Sequence, residues 1–237
     1  MKKNNLEIIN NFHQRTFKNN VSNKLSNKFL VLLSNLNKDF NNYNKTLNVL
    51  NKNFIIDPKI KQLHKFNKYK KIAVIGMGGS ILGAEAIYNF FQKKIKNKFY
   101  FFNDINETKL LNFINNEKLS DILFIIISKS GNTIETLANT FSLNIIKKNS
   151  KNIIIISEKS NNYLFNMSKR LNLFFIEHKK FIGGRYSVLS ETGIVPSYFM
   201  GANIKKLRSN LLEVLNNKNR LFLKNSFTYL TNIFNSK

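Results

Sequence analysis

The chain has 237 residues, room for one α/β domain with additional helices or for two small domains, and its 43% apolar share suits a buried core. Without cysteine it holds no disulfide framework and no thiolate zinc site, and three scattered histidines, His13, His64 and His178, do not make a His-rich metal site. The formal net charge of +25 would attract nucleic acid or an anionic membrane, yet only five of the 38 basic residues are arginine and 41 residues are asparagine, a bias toward residues of A- and T-rich codons.

The opening stretch, "MKKNNLEIINNFHQRTF", is basic but no continuous apolar segment follows, so no secretory signal is read. Residues 1–70 are polar and free of glycine, with Leu25, Phe29, Leu32, Leu33 and Leu36 at helical spacing; they read as a helical N-terminal arm. Asp57-Pro58 is a turn signal. From residue 71 strands and helices alternate. "IAVIG" (72–76) is a strand ending in glycine, and Ser80 to about Lys94 a helix. "KFYFFND" (98–104) is a strand, and Glu107–Glu117 a helix with Leu110, Leu111 and Ile114 on one face. "ILFIIIS" (122–128) precedes a helix from Thr133 to Lys148, with Ile134, Leu137, Ala138, Phe141 and Ile145 inward. "NIIIIS" (152–157), a helix near 161–170 and "LNLFFIE" (171–177) complete the alternation, and two helices follow near 203–216 and 220–234. Five short apolar strands alternating with helices predict an α/β fold, a doubly wound five-stranded parallel sheet flanked by helices. The apolar runs are too short to span a bilayer, which points to the cytoplasm and away from a membrane.

In an open parallel sheet, ligands bind beyond the carboxyl ends of the strands. Two loops fall there. Gly76 to Ser80, "GMGGS", could bring backbone N–H groups to an anion or could be a tight turn for helix–strand packing. Its spacing departs from a dinucleotide fingerprint, although Asp104 ends the second strand. The loop "SKSGNT" offers more: the hydroxyls of Ser128, Ser130 and Thr133, the Lys129 cation, a turn at Gly131, the Asn132 amide and a helix start. A helix cap alone would need one such side chain, so anion binding is favoured. No Walker lysine pattern is present.

"GMGGSILG", "SKSGNTIET" and "GGRYSVLSETGIVP", in that order, resemble the three signature segments of the glucose-6-phosphate isomerases, and the first two singly resemble the wider group of sugar-isomerase (SIS) domains that bind phosphosugars. The resemblance covers about residues 70–215. It implies an arm over 1–70, a first SIS domain over 71–202, and helices over 203–237 that lead to a second SIS domain not contained in this chain. It implies interconversion of glucose 6-phosphate and fructose 6-phosphate through a cis-enediolate, with no metal or cofactor, in a homodimer of the complete protein. Ser128 to Thr133 match the phosphate loop, and Gly79 and Ser80 the family's other substrate-binding pair. Arg185 matches the arginine that stabilises the enediolate, a role that suits a permanent guanidinium charge; a surface ion pair is the alternative for it.

Where the common family loop carries Thr, Phe and two Thr after Ser-Lys, this chain has Ser130, Gly131, Asn132 and Thr133. The Gly-Asn pair resembles dual phosphoglucose/phosphomannose isomerases, which leaves the choice of sugar open. The family's glutamate base, ring-opening histidine and catalytic lysine match nothing here, so the chain alone is expected to bind sugar phosphate with little or no turnover. An apolar face for the second domain is expected to be exposed. Two other readings stand beside the enzyme: a stand-alone SIS protein that binds a phosphosugar and regulates a partner, and a polyanion-binding protein, the latter disfavoured by scattered lysines and the absence of an aromatic-interleaved basic motif.

Overall fold

A computed structural model describes residues 19–57, 59–216 and 219–235. His13, the first part of the expected arm and Pro58 of the expected turn lie outside these residues. Five strands form one sheet: β1 (Lys71–Gly76), β2 (Lys98–Phe102), β3 (Ile122–Ile127), β4 (Ile153–Ser157) and β5 (Phe174–Glu177), in the spatial order β2-β1-β3-β4-β5. Every pair is parallel, and Gly76 of β1 lies in register with Ile127 of β3.

Both faces of the sheet are covered, which is why the strands read as unbroken apolar runs rather than alternating ones. Alternate residues divide between two cores. Ile72, Val74, Leu123, Ile125, Ile154 and Ile156 face one side with Leu63, Phe66, Val195 and Phe199. Ala73, Ile75, Phe124, Ile126, Ile153 and Ile155 face the other with Leu110, Phe113 and Leu164. The first side holds α2 (Leu82–Phe91) and α6 (Glu191–Phe199); the second holds α3 (Glu107–Asn116), α4 (Ile134–Ser142) and α5 (Tyr163–Leu171). Because β2 lies on one side of β1 and β3 on the other, the chain reverses its winding between β1 and β3, and a crevice opens at their carboxyl ends.

Three helical expectations differ in detail. In α3 the inward residues are Leu110 and Phe113, while Leu111 is 50% exposed and Ile114 is also exposed. Phe113 wins the inward seat because its ring packs edge-on against Tyr100, Phe102 and Phe124. The helix after β3 starts at Ile134 and ends at Ser142, well short of Lys148, because Asn144 turns left-handed at φ 46°. Its fully buried residues are polar, Thr136, Asn139 and Thr140; Leu137 packs against the second core as expected, whereas Ile134 is 77% exposed. The stretch near 203–216 is a four-residue helix α7 (Ile204–Leu207) and a 3-10 turn at Glu213–Leu215. The last helix, α8, spans Arg220–Asn235.

The described part of the arm is α1 (Asn19–Asn41), which buries Leu25 and Phe29 and packs Phe29 on Phe227 of α8. Leu32, expected inward, is exposed together with Leu30 and Val31 of α1 and Leu221 and Leu230 of α8. The next segment is fastened to the sheet domain by Arg208. Its guanidinium donates to the carbonyls of Leu189, Val49 and Asn51 and lies over the Phe54 ring.

Candidate functional site

The crevice between β1 and β3 is walled by three segments. The first leaves β1 at Gly76 and makes one 3-10 turn, Gly78–Ser80, before α2 begins. The second leaves β3 and contains Ser128 to Thr133. The third, around Arg185, arrives from distant sequence. It is pressed onto the first: a Cβ at Gly79 would lie 2.3 Å from the Gly184 carbonyl carbon and 2.7 Å from the Arg185 nitrogen. The buried Ser187 hydroxyl lies 2.6 Å from the Gly184 oxygen and 3.2 Å from the Gly79 oxygen, so one side chain bridges both turns. Thr192 and Ser190, at the start of α6, donate back to the Ser187 carbonyl. Val188 is wedged between Gly83 of α2 and Gly193 of α6, each too close to it to carry a Cβ.

Arg185 stands at the tip of this bracket with its side chain exposed. Among the described residues nothing pairs with its guanidinium, so the alternative of a surface ion pair is not realised.

The β3 loop is built around Ser128, which is 1% exposed. Its hydroxyl lies 2.8 Å from that of Thr133 and 3.5 Å from that of Ser130, and it accepts from the Gly131 N–H at 3.1 Å. Ser130 accepts from the Asn132 N–H at 3.3 Å. Thr133 occupies the N-cap position of α4 without a side-chain cap bond. Asn132 does not cap α4 either; its carbonyl oxygen accepts from the Tyr163 N–H at the start of α5. The first turn of α4 is therefore left without a side-chain acceptor while three hydroxyls gather beside it, an arrangement that favours an anion. Lys129 is engaged sideways, with its ammonium 3.6 Å from the Glu158 carboxylate.

Two supporting residues were not singled out from sequence. Glu158 donates its N–H to the Lys129 carbonyl at 3.0 Å. Asn162, 3% exposed, caps α5 by accepting from the Phe165 N–H and would collide with any Cβ at Gly131, its carbonyl oxygen standing 1.9 Å from that position. Gly131 takes φ +68°, so both its backbone and its neighbour demand glycine. Neither role has a signal in the chain, because both depend on how the β4–α5 turn is stacked against the β3 loop.

Glu191 is fully buried, accepts from the Asp57 N–H at 3.3 Å, and has its carboxyl pushed up by burial. His178 is 1% exposed; its Nδ1 lies 3.1 Å from the Lys179 carbonyl, and burial pushes its pKa down. His64 stacks on Tyr198. Among the described residues no group of three or more His, Asp or Glu could hold a metal, and no helix is long and apolar enough to cross a membrane. A groove of about 840 Å³ between Lys65, Phe66, Lys151 and Phe174 lies at the amino ends of β4 and β5, away from the hydroxyl loop and Arg185.

The model of the family described as phosphoglucose isomerase matches residues 9–227. A probable glucose-6-phosphate isomerase of Methanococcus maripaludis is 35% identical over 196 residues, 78% of this chain and 43% of that protein. The glucose-6-phosphate isomerase of Methanocaldococcus jannaschii is 32% identical over 162 residues, 68% of this chain and 40% of that protein. In fold, a hypothetical protein of Thermus thermophilus superposes with a TM-score of 0.66 at 20% identity, over 80% of this chain and 48% of that one. A glucose-6-phosphate isomerase of Chlamydia trachomatis does so with a TM-score of 0.50 at 18% identity, over 85% and 34%. The chain thus spans less than half the length of the curated relatives it matches.

Proposed function

Since the chain belongs to the phosphoglucose isomerase family, we propose that it forms the phosphate-holding and enediolate-stabilising part of an aldose–ketose isomerase acting on glucose 6-phosphate and fructose 6-phosphate. The observation that supports this reading is the backbone contact of Gly79 with Gly184 and Arg185, which brings the arginine's segment against the turn that leaves β1, next to the strand that carries the hydroxyl loop.

The phosphate of the open-chain sugar sits against the hydroxyls of Ser128, Ser130 and Thr133 and the first-turn N–H groups of α4. The Gly79–Ser80 turn borders the sugar. C1 and C2 lie toward Arg185. When a proton leaves C2, negative charge develops on the C1–C2 oxygens, and a guanidinium already in place stabilises it without reorganising. The proton itself needs a base within hydrogen-bond reach. Glu191 is buried against Asp57, and Glu135 is a helix-start residue next to the loop, whose charge suits the α4 dipole. Neither is assigned the base. The chain on its own binds sugar phosphate and turns over little. The homodimer, the cytoplasmic location and the part played by further residues of the complete protein belong to the same proposal.

The test is a calorimetric titration of the chain with fructose 6-phosphate and with fructose, alongside a coupled isomerase assay. The phosphorylated sugar binds and the free sugar does not, and Ser128→Ala with Thr133→Ala abolishes the difference. Equal binding of both sugars, or isomerase rates typical of complete enzymes from this chain, overturns the reading.

A further inference from the structure

Glu158 begins the turn after β4 and touches the β3 loop by both backbone and side chain. Its N–H donates to the Lys129 carbonyl at 3.0 Å, its own carbonyl accepts from Asn162 at 2.9 Å, and its carboxylate stands 3.6 Å from the Lys129 ammonium. The two side chains are only 30% and 19% exposed, so their attraction is partly shielded from water. His178, beyond the end of β5, interacts electrostatically with both Lys129 and Glu158, and burial pushes its pKa down.

This places a carboxylate beside an anion site, which costs affinity for any phosphate. A reason lies in where the chemistry occurs. The phosphate is several bonds from C1 and C2 and keeps its charge through the reaction. A bare ammonium on it would strengthen substrate, transition state and product alike, and uniform binding of that kind lowers KM without raising kcat. We propose that Glu158 is a positioning residue that neutralises Lys129 and holds it to the side, so that hydroxyls and backbone N–H groups carry the phosphate and release it readily. The inference rests on the reading of residues 128–133 as the phosphate site.

Calorimetry with fructose 6-phosphate and with inorganic phosphate at low salt decides it. Glu158→Gln, nearly isosteric, binds both about tenfold more tightly than the unchanged chain, because it removes one nearby negative charge. Adding Lys129→Met to Glu158→Gln removes that gain. A purely structural role for Glu158 predicts the opposite sign, and equal or weaker binding by Glu158→Gln overturns the proposal. A second readout needs no Glu158 variant: on adding phosphate, the Lys129 Nζ resonance shifts less than the Gly131 amide, and a larger Lys129 shift refutes the inference. If the unchanged chain binds fructose 6-phosphate no better than fructose, the phosphate-site reading itself fails, and this proposal with it.

Discussion

Replacing Gly79 by alanine tests the bracket that carries Arg185. The substitution suits the Gly79 backbone, which is not left-handed, so intrinsic strain is absent. The new methyl would stand 2.3 Å from the Gly184 carbonyl carbon and 2.4 Å from its oxygen. Ordinary contact begins near 3.4 Å, so the two turns must part by about 1 Å. Both partners are backbone, and the Ser187 bridge and the Val188 wedge resist the movement. Overpacking of this kind costs about 1–3 kcal/mol, and for a chain of this length that lowers Tm by roughly 3–10 °C. A guanidinium displaced by about 1 Å from a developing oxyanion costs on the order of a hundredfold in turnover in an enzyme that contains this segment. Thermal unfolding followed by circular dichroism and titration with fructose 6-phosphate are the assays. Gly184→Ala is the comparator, since a Cβ there meets nothing within 4 Å. A Gly79→Ala chain with Tm within about 1 °C of the original and undiminished sugar-phosphate affinity would refute the reasoning.

Three other outcomes are expected. Gly131→Ala lowers both Tm and phosphate affinity, because it combines a left-handed φ with a Cβ 1.9 Å from the Asn162 oxygen; denaturation and the same titration check it. Glu117 accepts from Lys71 at 2.6 Å, from the Tyr100 hydroxyl and from Lys98 at 2.9 Å, and these partners hold its pKa down to about 2 from an ordinary 4.5. Its contribution to stability is complete above pH 4.5 and disappears as pH falls toward 2, so Glu117→Gln flattens the acid limb of urea-denaturation midpoints measured across that window. Glu191 has the opposite sign. Burial raises its pKa, the folded state keeps the proton, and its contribution falls as pH rises above the ordinary 4.5; Glu191→Gln therefore gains stability relative to the original chain as pH rises from about 4 to about 7, read from the same midpoints.

The strands were legible because each is a run of apolar β-branched or aromatic residues bounded by polar turns, and a sheet covered on both faces asks for that pattern. The helices were less so. Periodicity put Leu137 inward in α4, where it packs on the core, but also Phe141 and Ile134, which are exposed, and the fully buried residues are Thr136, Asn139 and Thr140. There Asn139 donates to the Asp104 carbonyl, a polar contact invisible to a hydrophobic pattern. Helix α6 was not read as a helix at all. Its "ETGIVPSYF" contains Gly193 and Pro196 and is buried almost all round, so breakers are present and amphipathicity is not. The make-up of the loop proposed to hold phosphate was legible in its own residue types, because hydroxyls, a glycine and a helix start are local features. What surrounds it could not. The pairing of Lys129 with Glu158, the Asn162 block on Gly131 and the seating of Arg185 over Gly79 join segments that only the folded sheet brings together.

Four non-glycine residues take left-handed backbone angles among the described residues, and all are asparagine: Asn144, Asn149, Asn172 and Asn210. Asparagine tolerates that conformation, so in a chain this rich in it many turns do not need glycine. Glycine is then concentrated where there is no room for a side chain: at Gly76, Gly79, Gly83, Gly131 and Gly193 an added Cβ would fall under 3.0 Å from its neighbours. Asparagine thus takes over part of a duty that most chains leave to glycine, although Gly78, Gly131 and Gly201 also turn left-handed. Gly76, Gly79 and Gly193 mark close approaches to another stretch of backbone, while Gly83 and Gly131 make room for the side chains of Val188 and Asn162, so bare backbone at five positions is what lets these segments lie against one another.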